Sequence, residues 1–302
     1  MQDVAPFREW GTWYRISGDI ESQLTPLVVV HGGPGATSDY VLALAELSSS
    51  GRPVIHYDQL GGGRSTHLRE RGPDFWTVDL FLDELDNLLA HLEIQDRYVL
   101  LGQSWGGMLG AEHAIRRPSG LRALVLSNAL PSSALWSREA ERLRGELPPE
   151  VEATLRRHEG AGTLSDPEYV AASQLYYDKH VCRVKPTPPD YARTLEYVAM
   201  DSTVYATMWG PNEFFCNGTL KDWSVEDRLH LITAPTLLVS GRFDESTPAV
   251  NQPFFDKISD VRWELLEQSS HMPFFEEPER YLDIVGSFLD EHEYSTSGPR
   301  TS

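Results

Sequence analysis

The 302-residue sequence predicts an α/β fold: a mostly parallel central sheet flanked by helices, with one all-helical block inserted into it. Three observations predict it. Short apolar runs recur between amphipathic segments: PLVVVH at 26–31, PVIHY at 53–57, LRALVLS at 121–127 and PTLLVS at 235–240. Runs of this length without polar alternation are what strands buried on both faces require. That rhythm stops between 132 and 228, where only helical periodicity is found. At 98–110, YVLLGQSWGGMLG, an apolar run passes through Gly-Gln-Ser-Trp-Gly into a small-residue helical segment.

In chain order, 7–16 alternates aromatic and polar residues and predicts one or two antiparallel strands, with turns at Gly11 and at 17–19. The strand at 26–31 runs into Gly32-Gly33-Pro34-Gly35, and a helix is expected over 39–47. A second buried strand at 53–57 leads into the loop DQLGGGRS. Leu80, Phe81, Leu85, Leu88, Leu89 and Leu92 share one face of a helix over 78–92. After the strand at 121–127, helices are expected over 137–147, 149–158, 166–178 and 189–199, joined by Pro- and Gly-rich links. This block holds much of the aromatic content; its rings are expected to pack helix on helix, and its position suits a lid. Strands at 235–240 and 261–266 and a helix over 278–289 complete the sheet domain. The expected division is core at 1–131, helical cap at 132–228, core again at 229–292, and a polar disordered tail at 293–302.

Composition narrows the function. A net charge of −19, from 45 acidic and 26 basic residues, argues against a nucleic-acid partner. Two cysteines, Cys182 and Cys216, are too few for a disulfide scaffold. No apolar stretch approaches a membrane span, and the N-terminus has no charged segment followed by an apolar run. The expectation is a cytoplasmic protein with neither membrane nor nucleic-acid partner. No residue pattern speaks to its oligomeric state.

The chemistry starts from Ser104. Gly102-Gln103-Ser104-Trp105-Gly106 has the G-x-S-x-G form of a strand–turn–helix nucleophile elbow, in which close backbone packing leaves no room for side chains at the flanking positions. A serine hydroxyl needs a general base, itself oriented by an acid. In this topology the acid follows a strand after the insertion, and the histidine follows the last strand. SGRFDESTP after 235–240 supplies Asp244, with Glu245 its neighbour; EQSSHMPF after 261–266 supplies His271. His230, His292 and His31 are in the wrong places, and His31, at the end of a buried strand, is expected to be structural. Two backbone donors would hold an oxyanion: Trp105, which follows the nucleophile, and Gly33 in the HGGPG loop, with Gly32 the next choice. No metal-ligand spacing, phosphate loop or dinucleotide fingerprint is found, so no metal and no cofactor are expected.

HGGPG at 31–35, DQLGGGRS at 58–65, GQSWGG at 102–107, GRFDESTP at 241–248 and SSHMPFFEEPERY at 269–281 together resemble the proline iminopeptidase family of α/β-hydrolases. The resemblance extends into the insertion through YYDKHVCR at 176–183 and MWGPNEFFCNGTLKDW at 208–223, and covers nearly the whole chain. It is closest to the branch of the tricorn-interacting aminopeptidase and the L-amino acid amidases. It implies the α/β-hydrolase fold with a helical cap, and hydrolysis of the amide after an unblocked N-terminal residue, often proline, in a small peptide or amino-acid amide. It also implies that acidic residues hold the substrate's free amine. The matching positions are Glu213 in GPNEF and Glu245, with Tyr205 a weaker match. Two other readings use the same residues differently: an esterase, lactonase or tailoring hydrolase of a biosynthetic pathway, and a non-catalytic binding protein on a hydrolase scaffold. The second is disfavoured by the presence of every catalytic position.

Overall fold

The computed structural model describes residues 1–294. Its centre is an eight-stranded sheet. In chain order the strands are β1 (Gln2–Phe7), β2 (Trp10–Ser17), β3 (Leu27–Val30), β4 (Val54–Tyr57), β5 (Tyr98–Gln103), β6 (Leu121–Ser127), β7 (Thr236–Gly241) and β8 (Val261–Leu266). In space they run β1-β2-β4-β3-β5-β6-β7-β8. The first two pairings, β1 with β2 and β2 with β4, are antiparallel; every pairing from β4 to β8 is parallel. Every residue of β3, β4, β5 and β7 is buried, as expected of central strands covered on both faces. At the edge, β8 is mostly half-buried.

Two expectations for the N-terminal region need correction. The first hairpin begins at Gln2 and turns at Arg8 and Glu9; Gly11 pairs with Pro6 inside the ladder and is not a turn. Alternation in β2 was legible because Thr12, Tyr14 and Ile16 face inward. The helix expected over 39–47 is a 3₁₀ segment, Ser38–Ser50. Thr37 caps it, and Gly51 closes it in the left-handed region, φ 90°.

Helices α1 (Val78–His91) and α2 (Trp105–Ile115) flank the sheet, α1 burying Leu80, Phe81, Leu85, Leu88 and Leu89. Between β6 and β7 the chain runs through α3 (Ser133–Arg144), α4 (Pro149–Ala161), α5 (Pro167–His180), α6 (Pro189–Met200) and α7 (Thr203–Met208). The two ends of this insertion are joined: the Ser133 N–H donates to Trp223 O at 3.0 Å and the Val225 N–H to Pro131 O at 2.9 Å. The insertion is also tied down on the core. Thr194 Oγ1 lies 2.9 Å from Thr37 Oγ1, Arg193 pairs with Asp39 at 3.3 Å, and Asp201 takes His67 at 2.5 Å and Arg69 at 3.0 Å.

The core closes with α8 (Pro248–Lys257), α9 (Pro273–Glu276) and α10 (Pro278–Tyr294). Helices α7, α8 and α9 are not part of the sequence expectation; α7 and α9 are too short to show periodicity, and α8 carries Pro253 in its interior. α10 runs through Tyr294, so residues 293 and 294 belong to a helix; the rest of the expected tail lies outside the described residues. No described helix is long and apolar enough to cross a membrane. Cys182 and Cys216 are free thiols.

Candidate active site

Ser104 stands between β5 and α2 with φ 56° and ψ −123°, a conformation side chains rarely adopt. The flanking glycines make this turn possible. A Cβ on Gly102 would strike the Gly106 carbonyl, and one on Gly106 would strike the carbonyl of Val30. The serine is thereby carried to the carboxyl end of the parallel strands, where loops from β3, β5, β6, β7 and β8 converge.

Two of those loops supply Asp244 and His271. His271 Nδ1 lies 2.7 Å from Asp244 Oδ1, and among the described residues its Nε2 makes no hydrogen bond. Both side chains are buried. Asp244 is held from three sides: besides His271, its Oδ1 accepts from the Ser246 N–H at 2.8 Å and its Oδ2 from Asn128 Nδ2 at 2.6 Å. His271 and Ser104 line one cavity of about 290 Å³, together with Gly33, Tyr205 and Glu213. Burial pushes the His271 imidazole down, but the charge and hydrogen bond of Asp244, with the charges of Glu213 and Glu276, outweigh it, and the net shift is upward.

The two oxyanion candidates on the HGGPG loop are now distinguishable. The Gly32 N–H donates to Tyr40 Oη at 2.5 Å and is therefore committed. Gly33, at φ 115°, lines both the cavity and a narrow recess it shares with Ser104 and Trp105. His31 has the expected structural surroundings: it is fully buried, its Nε2 accepts from the Gln59 N–H at 3.0 Å, and burial pushes its pKa down. Gln59 in turn accepts from Trp105 Nε1 at 2.8 Å, so the first of the DQLGGGRS residues after Asp58 fixes the helix start beside Ser104.

Glu213 and Glu245 reach this region from different parts of the chain. Glu213 sits in a frame of aromatic side chains. Its Oε1 accepts from Tyr205 Oη at 2.8 Å, its N–H donates to Tyr177 Oη at 3.2 Å, and its carbonyl accepts from Trp136 Nε1 at 2.9 Å and Trp209 Nε1 at 3.3 Å. Helix packing alone is thus not the whole use of the insertion's aromatic residues. Glu245 is fully buried beneath the end of α5, its N–H donating to His180 O at 3.3 Å. Its carboxyl lies against the Tyr176 hydroxyl. Burial pushes both carboxyls up; Glu245 is pushed further by the charges of Glu213 and Asp244 and pulled partly back by the Tyr176 hydroxyl, while His271 and Tyr205 pull Glu213 partly back.

These geometries have counterparts in known proteins. The family described as alpha/beta hydrolase fold matches residues 25–278. A proline iminopeptidase of Clostridium botulinum is 38% identical, covering 95% of this chain and 97% of that one; the proline iminopeptidase of Saccharolobus solfataricus is 39% identical over 92% and 87%. The chain belongs to the proline iminopeptidase family of α/β-hydrolases. It is therefore an enzyme, and aminopeptidase is the activity class its family carries. Among solved structures, proline iminopeptidase of Mycobacterium smegmatis is 47% identical over 98% of this chain and all of that one, with a TM-score of 0.92. The crystal structure of VinJ is 54% identical over 96% and 98%, with a TM-score of 0.95.

Four residues of this family member's site are absent from the sequence reading. Asn128 holds Asp244; Gln103 donates from Nε2 to the His271 carbonyl at 3.0 Å; Tyr40 donates to Gln103 Oε1; Trp136 packs its ring edge-on to His271 at 5.9 Å. A signal existed for two of them. Ser127-Asn128 is a polar pair ending a buried apolar strand, and Gln103 is a polar residue in the last position of another. Tyr40 and Trp136 lie in segments whose pattern speaks only of helix packing.

Proposed function

We propose that this enzyme hydrolyses the amide bond that follows an unblocked N-terminal residue, proline or a small apolar amino acid, in a small peptide or amino-acid amide. The observation that carries the reading is the Glu213 carboxylate, half-buried on the wall of the cavity of Ser104 and His271, with the fully buried Glu245 carboxyl close enough for the two charges to act on each other. A cationic amine entering a partly desolvated pocket needs charged acceptors, and these carboxyls are placed to supply them. The family's curated members, named proline iminopeptidase, support the same substrate class.

In this mechanism Glu213 and Glu245 hold the substrate's α-ammonium group and set the scissile carbonyl against Ser104. His271 Nε2 takes the Ser104 proton as Oγ attacks, while Asp244 fixes Nδ1–H and stabilises the imidazolium. The N–H groups of Gly33 and Trp105 receive the oxyanion. Collapse breaks the C–N bond, and the imidazolium gives its proton to the leaving amine. Water, deprotonated by His271, then releases the amino acid from Ser104. The helical insertion serves as a cap: Glu213 belongs to it, so a productive site requires it in place. The cytoplasm is the compartment we propose, in keeping with two free thiols.

The deciding experiment compares kcat/KM for prolinamide and N-acetylprolinamide. Acetylation removes the charge the two carboxylates would hold, so the blocked amide is expected to react at least about 10- to 100-fold more slowly, the equivalent of one lost charged hydrogen bond. Equal rates on the two would remove the aminopeptidase reading and promote the esterase one.

A further inference from the structure

Gln59, in the loop after β4, is fully buried, and its backbone and side chain both engage the two segments that flank Ser104. Its N–H donates to His31 Nε2 at 3.0 Å, its Nε2 donates to the His31 carbonyl at 2.9 Å, and its Oε1 accepts from Trp105 Nε1 at 2.8 Å. The residues after it hold it in turn. The Leu60 N–H donates to both oxygens of the buried Glu84 carboxyl group, at 2.9 and 3.1 Å, and the Gly62 N–H donates to the Gln59 carbonyl at 3.0 Å.

The first of these bonds settles the tautomer of His31. A backbone N–H can only donate, so Nε2 offers its lone pair and the ring proton sits on Nδ1. Nδ1 lies 2.8 Å from the Gly32 carbonyl oxygen and so donates to it. Burial, against the charges of Asp58 and Asp39, pushes the His31 pKa down and favours the neutral ring that this pairing needs. The Gly32–Gly33 peptide bond is trans, so its C=O and its N–H point in opposite directions in one plane. A carbonyl held by His31 therefore aims the Gly33 N–H. The preceding peptide is held as well, by the Gly32 N–H on Tyr40 Oη. The loop runs so close to the nucleophile that a Cβ on Gly32 would fall 2.9 Å from Ser104 Cβ.

We propose that Gln59 and His31 are positioning residues for the oxyanion hole. Gln59 fixes His31 as the Nδ1–H tautomer, and His31 sets the direction of the Gly33 N–H through the Gly32 carbonyl. The Gln59 side chain ties the His31 carbonyl to the Trp105 indole, and so sets the spacing between the segments that carry the two oxyanion donors. The inference rests on the reading that the Gly33 and Trp105 N–H groups receive the oxyanion; it does not depend on what Glu213 and Glu245 hold. Such donors act where the tetrahedral oxygen comes to lie, not on the ground-state carbonyl. Loss of their aim therefore lowers kcat and leaves KM in place.

The test uses phenyl acetate as a neutral substrate and phenethyl trifluoromethyl ketone as a transition-state mimic. Ser104 Oγ adds to the ketone carbon, its proton passes to His271, and the carbonyl oxygen becomes an oxyanion. His31→Leu keeps the bulk and loses the Nδ1–H. It is expected to lower kcat about 10- to 100-fold with KM unchanged, less than the full loss of an oxyanion donor, and to weaken the ketone by the same factor. His31→Asn places an amide nitrogen where Nδ1 was and is expected to restore the greater part of both. Gln59→Leu keeps the backbone N–H to His31 but unties the two segments, and is expected to show the same pair of losses. Wild-type kcat in both leucine variants, or a lost rate with the ketone affinity intact, overturns the proposal. Because a buried substitution can fail to fold, the wild-type ring is also read directly, by ¹⁵N NMR of histidine-labelled protein, with His31 identified by its through-space contact to the Gln59 amide. A proton on Nδ1 and a bare Nε2 support the proposal; a proton on Nε2 overturns it. If the wild-type enzyme binds the trifluoromethyl ketone no more tightly than phenethyl methyl ketone, the oxyanion-hole reading itself falls and the proposal with it. Equal rates on prolinamide and N-acetylprolinamide would remove only the aminopeptidase reading.

Discussion

Asn128, at the end of β6, donates from Nδ2 to Asp244 Oδ2 at 2.6 Å and so ties the acid loop to the neighbouring strand. The same nitrogen reaches Ser270 O at 3.2 Å, one residue before His271. One amide therefore spaces both partners of the imidazole–carboxylate pair. Asn128→Ala is expected to lower kcat about 10- to 100-fold, the scale of one hydrogen bond to a charged group. Ester hydrolysis measured beside a thermal melt checks this: a lost rate with a retained transition places the effect in catalysis rather than folding.

Ser104→Ala is expected to cut turnover by roughly 10⁶-fold, as in other serine triads, with the fold retained. The backbone at this position adds a second expectation. At φ 56° any residue with a Cβ is strained, and glycine is not. Ser104→Gly should therefore be equally inactive yet more stable than Ser104→Ala by about 1 kcal/mol, the strain relieved less the backbone entropy glycine costs. Denaturant unfolding of the two variants makes the comparison, and equal stabilities would mean the turn stores no strain.

How far the site was legible follows from these residues. Ser104, Asp244 and His271 were legible as candidates because Ser104 directly follows β5 and the other two lie in the loops after β7 and β8, in the order the topology expects. Asn128 and Gln103 end strands too, but their work is done across strands, through pairing that sequence order does not reveal. The frame around Glu213 was out of reach for another reason. Trp136, Tyr177, Tyr205 and Trp209 come from separate parts of the insertion, and their convergence is decided by helix packing that periodicity does not encode. The same holds for the 3₁₀ segment Ser38–Ser50, whose turns differ from α-helix by hydrogen-bond register rather than by residue pattern.

Asp244 and Glu245 are adjacent, and their surroundings predict opposite phenotypes. Asp244 accepts three hydrogen bonds, one from His271, while the Glu245 carboxyl lies against the Tyr176 hydroxyl. Asp244→Asn should lower kcat about 10⁴-fold on esters and amides alike, because it favours the wrong imidazole tautomer. Glu245→Gln should chiefly raise KM for free-amine substrates and spare small neutral esters. Loss of ester hydrolysis in Glu245→Gln, with Asp244→Asn active, would exchange the two roles.

The pH dependence separates Glu213 as a substrate anchor from Glu213 as a charge acting on His271. Catalysis needs the neutral imidazole, so kcat/KM rises with pH through the His271 pKa of the free enzyme. That pKa is shifted upward from 6.5: burial opposes the shift, Asp244 contributes most to it, and Glu213 follows. The acid limb of the wild-type profile is therefore expected above pH 6.5. Glu213→Gln deletes one of the charges that favour the imidazolium, so its acid limb should move to lower pH. The stability consequence has a definite sign. A histidine whose folded pKa is raised stabilises the native state fully below its unfolded pKa, and that contribution fades as pH rises through the folded value. The wild-type protein should thus lose this part of its stability over the same pH interval in which it gains activity, and Glu213→Gln should shift both transitions downward together. A neutral ester as substrate keeps amine binding out of the profile, and thermal melts across the same pH range supply the second curve. An acid limb that stays in place in Glu213→Gln would show that Glu213 carries no charge while His271 titrates, leaving Asp244 and Glu276 to account for the upward shift.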